Sequence, residues 1–311
     1  MKQRGRRLLR AAVVLLWCGA ALFASGFAMT VRDAQGRVFS LPKPAHRVVS
    51  LAPNLTEILF AIGAGDTLIA RSAYSDYPAA ARELPIVATA TSLSIERILT
   101  LHPDLIVVWD QGTSPAQIAS LVRLHLPVLR LNPHTLSGIL AAMDTLARLT
   151  GRREQAQPVI AQFASRLAGL RTKYRDQAPL KTFYEAWPKP LFTVNRDSII
   201  NDVMTLCGGV NIFADLPNTA AEVSVEGVLA KAPRVIVSGS HDDQWQQKWL
   251  QWPRLPAVAS SALFTINPDW IARAGPRTLL AAQQLCQDLA VVRARHSTTR
   301  PQVSVISQTP G

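Results

Sequence analysis

One pattern occurs twice in this chain, and it limits the fold more than any other feature. Ser94-Ile95-Glu96-Arg97-Ile98-Leu99, then Pro103, then Leu105-Ile106-Val107, returns as Ser224-Val225-Glu226-Gly227-Val228-Leu229, Pro233 and Val235-Ile236-Val237. Every matched position is offset by 130 residues. Each copy reads as a serine-capped short helix, a proline that stops it, and an apolar run suited to a buried strand. A supersecondary unit repeated at that distance predicts two similar lobes with a cleft between them.

The flanking sequence extends the pattern. From Arg47 onward, short β-branched runs alternate with amphipathic ones, as in βα units. Strands are expected at 47–51, 67–70, 86–89, 105–109 and 128–131, with helices at 54–62, 95–101 and 115–124. Asn54 and Glu57 form a capping box for the first of these helices. Ile160, Phe163, Leu167, Leu170 and Tyr174 recur at steps of three and four, which predicts a helix from Arg153 to Arg175 with Pro158 near its start. At about 1.5 Å per residue it would run roughly 35 Å, long enough to bridge two lobes. A second lobe begins at Lys181, with strands at 182–187, 234–238 and 263–266 and helices at 198–206, 225–230, 243–250 and 276–292. Trp245, Trp249 and Trp252 share one face of the 243–250 helix, read as packing against its own lobe rather than as a ligand platform. The fold class is therefore α/β.

The ends of the chain read differently. Lys2, Arg4, Arg6, Arg7 and Arg10 precede an apolar run beginning at Ala11, and Gly26-Phe27-Ala28 supplies small residues for cleavage. Residues 1–28 are expected to be an export signal cut after Ala28. The run is short for a bilayer span, which needs about 20 apolar residues. An uncleaved anchor from Ala11 to Phe27 is the alternative. Trp17 before Cys18 argues against a lipidated cysteine. The expected division is thus signal 1–28, N-terminal lobe 29–135, helical linker 136–180, C-terminal lobe 181–293 and flexible tail 294–311.

Removing the signal takes five positive charges from a formal +12, leaving a mildly basic chain without the lysine or arginine run of a nucleic-acid footprint. Cys207 and Cys286 are the cysteines beyond the signal, to be read as one disulfide or as two buried thiols. No Cys/His cluster suggests a zinc site, and His241-Asp242-Asp243 reads as a loop before a helix, so no metal is expected. The sequence holds no GxSxG elbow, Walker A loop, HExxH or strand-following GxGxxG, which argues against an enzyme.

Several stretches carry a resemblance. They are Arg47 to Glu57, Tyr74 to Pro78, Ile95 to Leu99 with Pro103 to Trp109, Cys207 to Phe213, and Asp269 to Arg277 leading into Ala281 to Cys286. On these the chain resembles the helical-backbone class of periplasmic binding proteins, and within it the cobalamin-binding branch that serves ABC importers. The likeness runs from about residue 45 to 292. It implies two Rossmann-like lobes joined by a single long backbone helix, with the ligand clamped in the cleft between them and little hinge motion. It also implies a monomer in the periplasm that hands cobalamin or a related corrinoid to a permease dimer with its ATPase subunits, without a cofactor of its own. Tyr74, Trp109, Trp187, Asp269, Trp270 and Arg273 would line the cleft; Glu96 and Glu226 would dock on the permease; Cys207 and Cys286 would form the disulfide. Ala90 and Ala220 stand where that branch carries tryptophans, which makes the pocket roomier and brings in haem or a ferric siderophore as alternative cargo. A corrin is a broad, mostly apolar plate with amide arms, so aromatic faces and a few polar groups suit it.

Overall fold

The computed structural model describes residues 28–298 except His241 and Asp243. The expected export signal up to residue 27, with Cys18, and the tail beyond 298 lie outside the described residues. The chain opens with an antiparallel hairpin, β1 (Met29–Arg32) and β2 (Val38–Leu41). The first lobe is then built on β3 (Val48–Ser50), β4 (Leu68–Ser72), β5 (Ile86–Ala88), β6 (Leu105–Trp109) and β7 (Val128–Leu131). They form one sheet in the order β5-β4-β3-β6-β7, and every pairing in it is parallel. Its strands are apolar almost without interruption because helices cover both faces. Val49, Ile106 and Val108 pack toward one cluster, while Val48, Leu105 and Val107 pack toward the other.

The second lobe repeats the plan. Strands β8 (Leu180–Glu185), β11 (Gly209–Asn211), β13 (Val235–Ser238) and β14 (Leu263–Thr265) make a parallel sheet in the order β11-β8-β13-β14. Beside it lies a small antiparallel sheet of β9 (Trp187–Pro188), β10 (Leu191–Val194) and β12 (Ala220–Glu222), which the sequence did not suggest.

The internal repeat has a counterpart in space. Strand β6 pairs with the first strand of its sheet, β3, and β13 pairs with the first strand of its own, β8. The helices that precede them, Ile95–Thr100 and Val225–Lys231, are each followed by a residue in the left-handed region just before the proline: His102 at φ 44° and Ala232 at φ 46°. That conformation and the following proline end both helices. The caps differ, however. Ser224 accepts from the Gly227 amide, whereas Ser94 makes no side-chain cap.

Two helices join the lobes. Leu136–Leu149 packs on the first lobe, with Thr135 accepting from the Gly138 amide, and Arg153–Tyr174 forms the 22-residue spine. Phe163, Leu167 and Tyr174 are buried along it, with Ile160 and Leu170 partly buried on the same face. Pro158 falls early, where it removes one bond to the Glu154 carbonyl.

Three expectations change. The first helix spans Pro53–Ala61 and starts on a proline after Ala52, so Asn54 and Glu57 are not a capping box; both are buried inside it. The 243–250 helix shrinks to Gln247–Leu250, with Trp245 and Trp249 buried in their own lobe and Trp252 left more exposed. The last helix spans Thr278–Thr298, past the boundary drawn at 293, and Arg295 anchors it by donating to the Ser260 and Ser261 carbonyls at 3.2 and 3.4 Å. Among the described residues no helix is long and apolar enough to cross a membrane.

Candidate functional site

In a parallel sheet, ligand sites form beyond the carboxyl ends of the strands, where the strand order reverses and adjacent connections leave on opposite faces. Here the reversals fall beside β3 and β8. The residues singled out from the sequence gather at those edges. Tyr74 lies two positions past β4, Trp109 is the last residue of β6, and Trp187 lies two positions past β8. Asp269 and Trp270 belong to the short helix Pro268–Ile271 that follows β14, and Arg273 comes just after it.

The aromatic rings are held in different ways. Trp109 donates its Nε1–H to Asn132 Oδ1 at 3.2 Å, and a Cβ on Gly112 would fall 1.8 Å from its Cε3, so only glycine fits against that ring. Trp187 is 59% exposed and tied at its edge to the Lys189 carbonyl at 3.0 Å. Trp270 is partly buried against the main core. Tyr74 is 75% exposed at φ 64°, and Tyr77 is 46% exposed. Ala90 follows β5 by two positions and Ala220 opens β12; both are exposed.

The polar part is an ionic network that crosses between the lobes. Arg273 Nη1 meets Asp76 at 2.6 Å and Glu57 at 3.6 Å, while its Nη2 meets Asp269 at 3.1 Å. Arg277 grips Glu57 with two nitrogens, at 2.9 and 2.5 Å, and lies over the Tyr77 ring at 3.9 Å from its centroid. Glu57 and Asp76 come from the first lobe and both arginines from the second. Burial works to raise the Asp76 pKa, but the hydrogen bond and charge of Arg273 outweigh it and hold the carboxyl below its ordinary value. Burial likewise works against the Arg277 charge, and Glu57 more than offsets it. Glu57, Asp76 and Arg277 went unrecognised in the sequence, because partners 220 and 197 positions apart leave no local signature.

Glu96 and Glu226 take no part in this network and are exposed in the first turns of their helices. Each helix returns the chain to start a parallel strand, so its N-terminus lies at the carboxyl edge of the sheet, the edge that also carries the aromatics. Cys207 and Cys286 are joined, with Cα atoms 4.6 Å apart, tying the end of helix Ile199–Leu206 to the last helix. Among the described residues no group of three or more His, Cys, Asp or Glu is placed to hold a metal ion.

Two α/β lobes on a helical spine, with aromatic and ionic groups collected where the strands of both sheets end, have the architecture of a two-lobed binding protein. The chain belongs to the periplasmic binding protein family, whose pattern matches residues 48–284. That family binds solutes and is not an enzyme class. Among its relatives, the Vitamin B12-binding protein of Vibrio cholerae serotype O1 is 40% identical over 253 residues, covering 81% of this chain and 92% of the relative. The crystal structure of the periplasmic Vitamin B12 binding protein BtuF of Vibrio cholerae superposes with a TM-score of 0.76 at 39% identity, covering 80% of this chain and 98% of that one. The periplasmic heme binding protein HutB of Vibrio cholerae, at 20% identity and a TM-score of 0.66, shares the fold.

Proposed function

We propose that this chain is the periplasmic binding protein of an ABC importer and that it carries cobalamin or a related corrinoid. The observation that carries this reading is the 40% identity to a Vitamin B12-binding protein over nearly the whole of that relative. Tyr74, Trp109, Trp187 and Trp270 offer aromatic faces to an apolar macrocycle, and Arg273 and Asp269 offer a donor and an acceptor to its amide arms. Export by a cleaved N-terminal signal would deliver the protein to the periplasm, where Glu96 and Glu226 would meet the two permease subunits. Cyanocobalamin titrated into the purified protein should bind one-to-one, seen by calorimetry and by a shift in the corrin absorbance; absence of heat and shift would overturn the reading.

The second reading is haem. Two exposed phenols, Tyr74 and Tyr77, stand at the edge that carries the cleft residues, and either is a suitable iron ligand. Tight haem binding with no response to cyanocobalamin, and a spectrum moved by Tyr74→Phe or Tyr77→Phe, would favour it.

A further inference from the structure

Arg273 and Arg277, where the two lobes meet, are already matched by carboxylates. Arg273 is shared among Asp76, Asp269 and Glu57, and Arg277 is gripped by Glu57 through two nitrogens. Arg82, which donates to the Asp76 backbone carbonyl at 3.1 Å, flanks the cluster but makes no hydrogen bond to these carboxylates. Glu57 is buried and fixed, whereas Asp76 and Asp269 are partly exposed, with 43% and 38% of their side chains open. A ligand that reaches Arg273 therefore meets two accessible carboxylates beside a guanidinium whose charge is spent.

We propose that Asp76, acting with Asp269, makes this cleft select tetrapyrrole-type ligands with neutral amide arms against those of similar size with ionised carboxylate arms. The proposal rests on the corrinoid reading and narrows it to a ligand class. An amide oxygen can accept one of the guanidinium N–H groups that remain, and its NH2 can donate to Asp76 or Asp269. An ionised carboxylate gains no uncompensated charge and lies against two others, in a setting where like charges brought together are costly. Asp76 is the specificity-determining member. It spans from the first lobe to Arg273, and its carboxylate stays ionised well below neutral pH.

The test compares three probes on three proteins: cyanocobalamin, a corrinoid whose amide arms have been hydrolysed to carboxylates, and haem, on the unmodified chain, Asp76→Asn and Asp76→Glu. Asp76→Asn frees part of the Arg273 charge, so the affinity for the carboxylate corrinoid and for haem, each taken relative to that for cyanocobalamin on the same protein, should rise by about tenfold or more. Asp76→Glu keeps the charge and should leave the unmodified preference in place. Asp269→Asn, which removes the other accessible carboxylate, should shift the carboxylate ligands in the same direction and serves if Asp76→Asn fails to fold. Unchanged relative affinity for both carboxylate ligands in folded Asp76→Asn and Asp269→Asn would overturn the proposal, as would an equal gain in Asp76→Glu. Failure of the unmodified protein to bind cyanocobalamin would instead sink the corrinoid reading. The Asp76 comparison would still be decided by the ratio of haem affinities.

Discussion

Trp270 is the side chain on which ligand affinity should depend most. Its partial burial against the core fixes the ring, so little rotamer freedom is lost when a ligand covers the face that remains. Trp270→Ala should weaken cyanocobalamin binding by about 1 to 3 kcal/mol, as for a buried aromatic anchor. An unchanged dissociation constant by calorimetry would remove Trp270 from the site. Asp288 gives a second prediction, unrelated to ligand. Burial raises its pKa to about 6, and its Oδ2 is buried with no hydrogen-bond partner among the described residues. The unfolded chain ionises this group near 3.8, so between those values the folded state holds the extra proton. Its contribution to stability therefore falls as pH rises through that window, and the penalty is complete above about 6. Asp288→Asn should raise Tm at pH 8 and lose that advantage as the pH drops toward 4 (roughly the unfolded value). A gain that is the same at both pH values would disprove the assignment. Trp270 was singled out through the resemblance of its Asp-Trp segment to a known family, and the structure places it on the short helix Pro268–Ile271 next to Asp269. Glu57 was not, because a carboxylate three residues after an asparagine near a helix start looks like a cap until Pro53 is seen to begin the helix one residue earlier.

Among the elements, those with a strong period were read correctly. The Arg153–Tyr174 spine follows from apolar steps of three and four, and the parallel strands follow from unbroken β-branched runs. The Trp245 to Trp252 segment shows why period alone can mislead. Asp242 accepts from the Gln244 amide and its carbonyl accepts from Trp245, a turn that takes Gln244 and Trp245 out of the expected helix. The small antiparallel sheet was missed because its strands are at most four residues long, too few to show alternation. The disulfide acts at this scale, cross-linking two helices 79 residues apart in sequence. Reduction should cost about 2 to 4 kcal/mol of stability. Equal denaturation midpoints with and without reductant, once mass analysis has established that the bond is broken, would refute that. The paired helix starts give a further test. Exposed charges at a docking rim orient the partner more than they hold ligand. Glu96→Ala with Glu226→Ala should therefore cut uptake sharply in a strain lacking its own binding protein and leave cyanocobalamin affinity unchanged, with each single change milder. Normal uptake would reduce both residues to carboxylates favoured by the helix dipole.

At the scale of the whole molecule the lobes are joined by more than the spine. One buried cluster runs from Leu55 and Leu59 in the first lobe, through Phe163 and Leu167 of the spine, to Val203, Cys207 and Leu285 in the second. A core continuous across the junction resists relative motion, since packed side chains would have to lose contacts before the lobes could part. The Glu57 and Arg277 pair reinforces the same junction, with the Glu57 side chain 2% exposed and that of Arg277 16% exposed. Removing one member of so buried a pair leaves the other uncompensated, and Glu57→Ala should destabilise the protein by about 3 to 5 kcal/mol. Because core and ion pair span both lobes, that loss should fall on the whole molecule, as one cooperative transition moved to lower denaturant. Fluorescence, which samples Trp109 in the first lobe and Trp245, Trp249 and Trp270 in the second, and far-ultraviolet circular dichroism should give superimposable curves. Curves that separate, with one lobe melting early and the other unmoved, would mean that the shared core does not couple the halves. The double change Glu57→Ala with Arg277→Ala completes the argument: if the pair is the cause, removing both charges should recover part of the stability that removing Glu57 alone destroys.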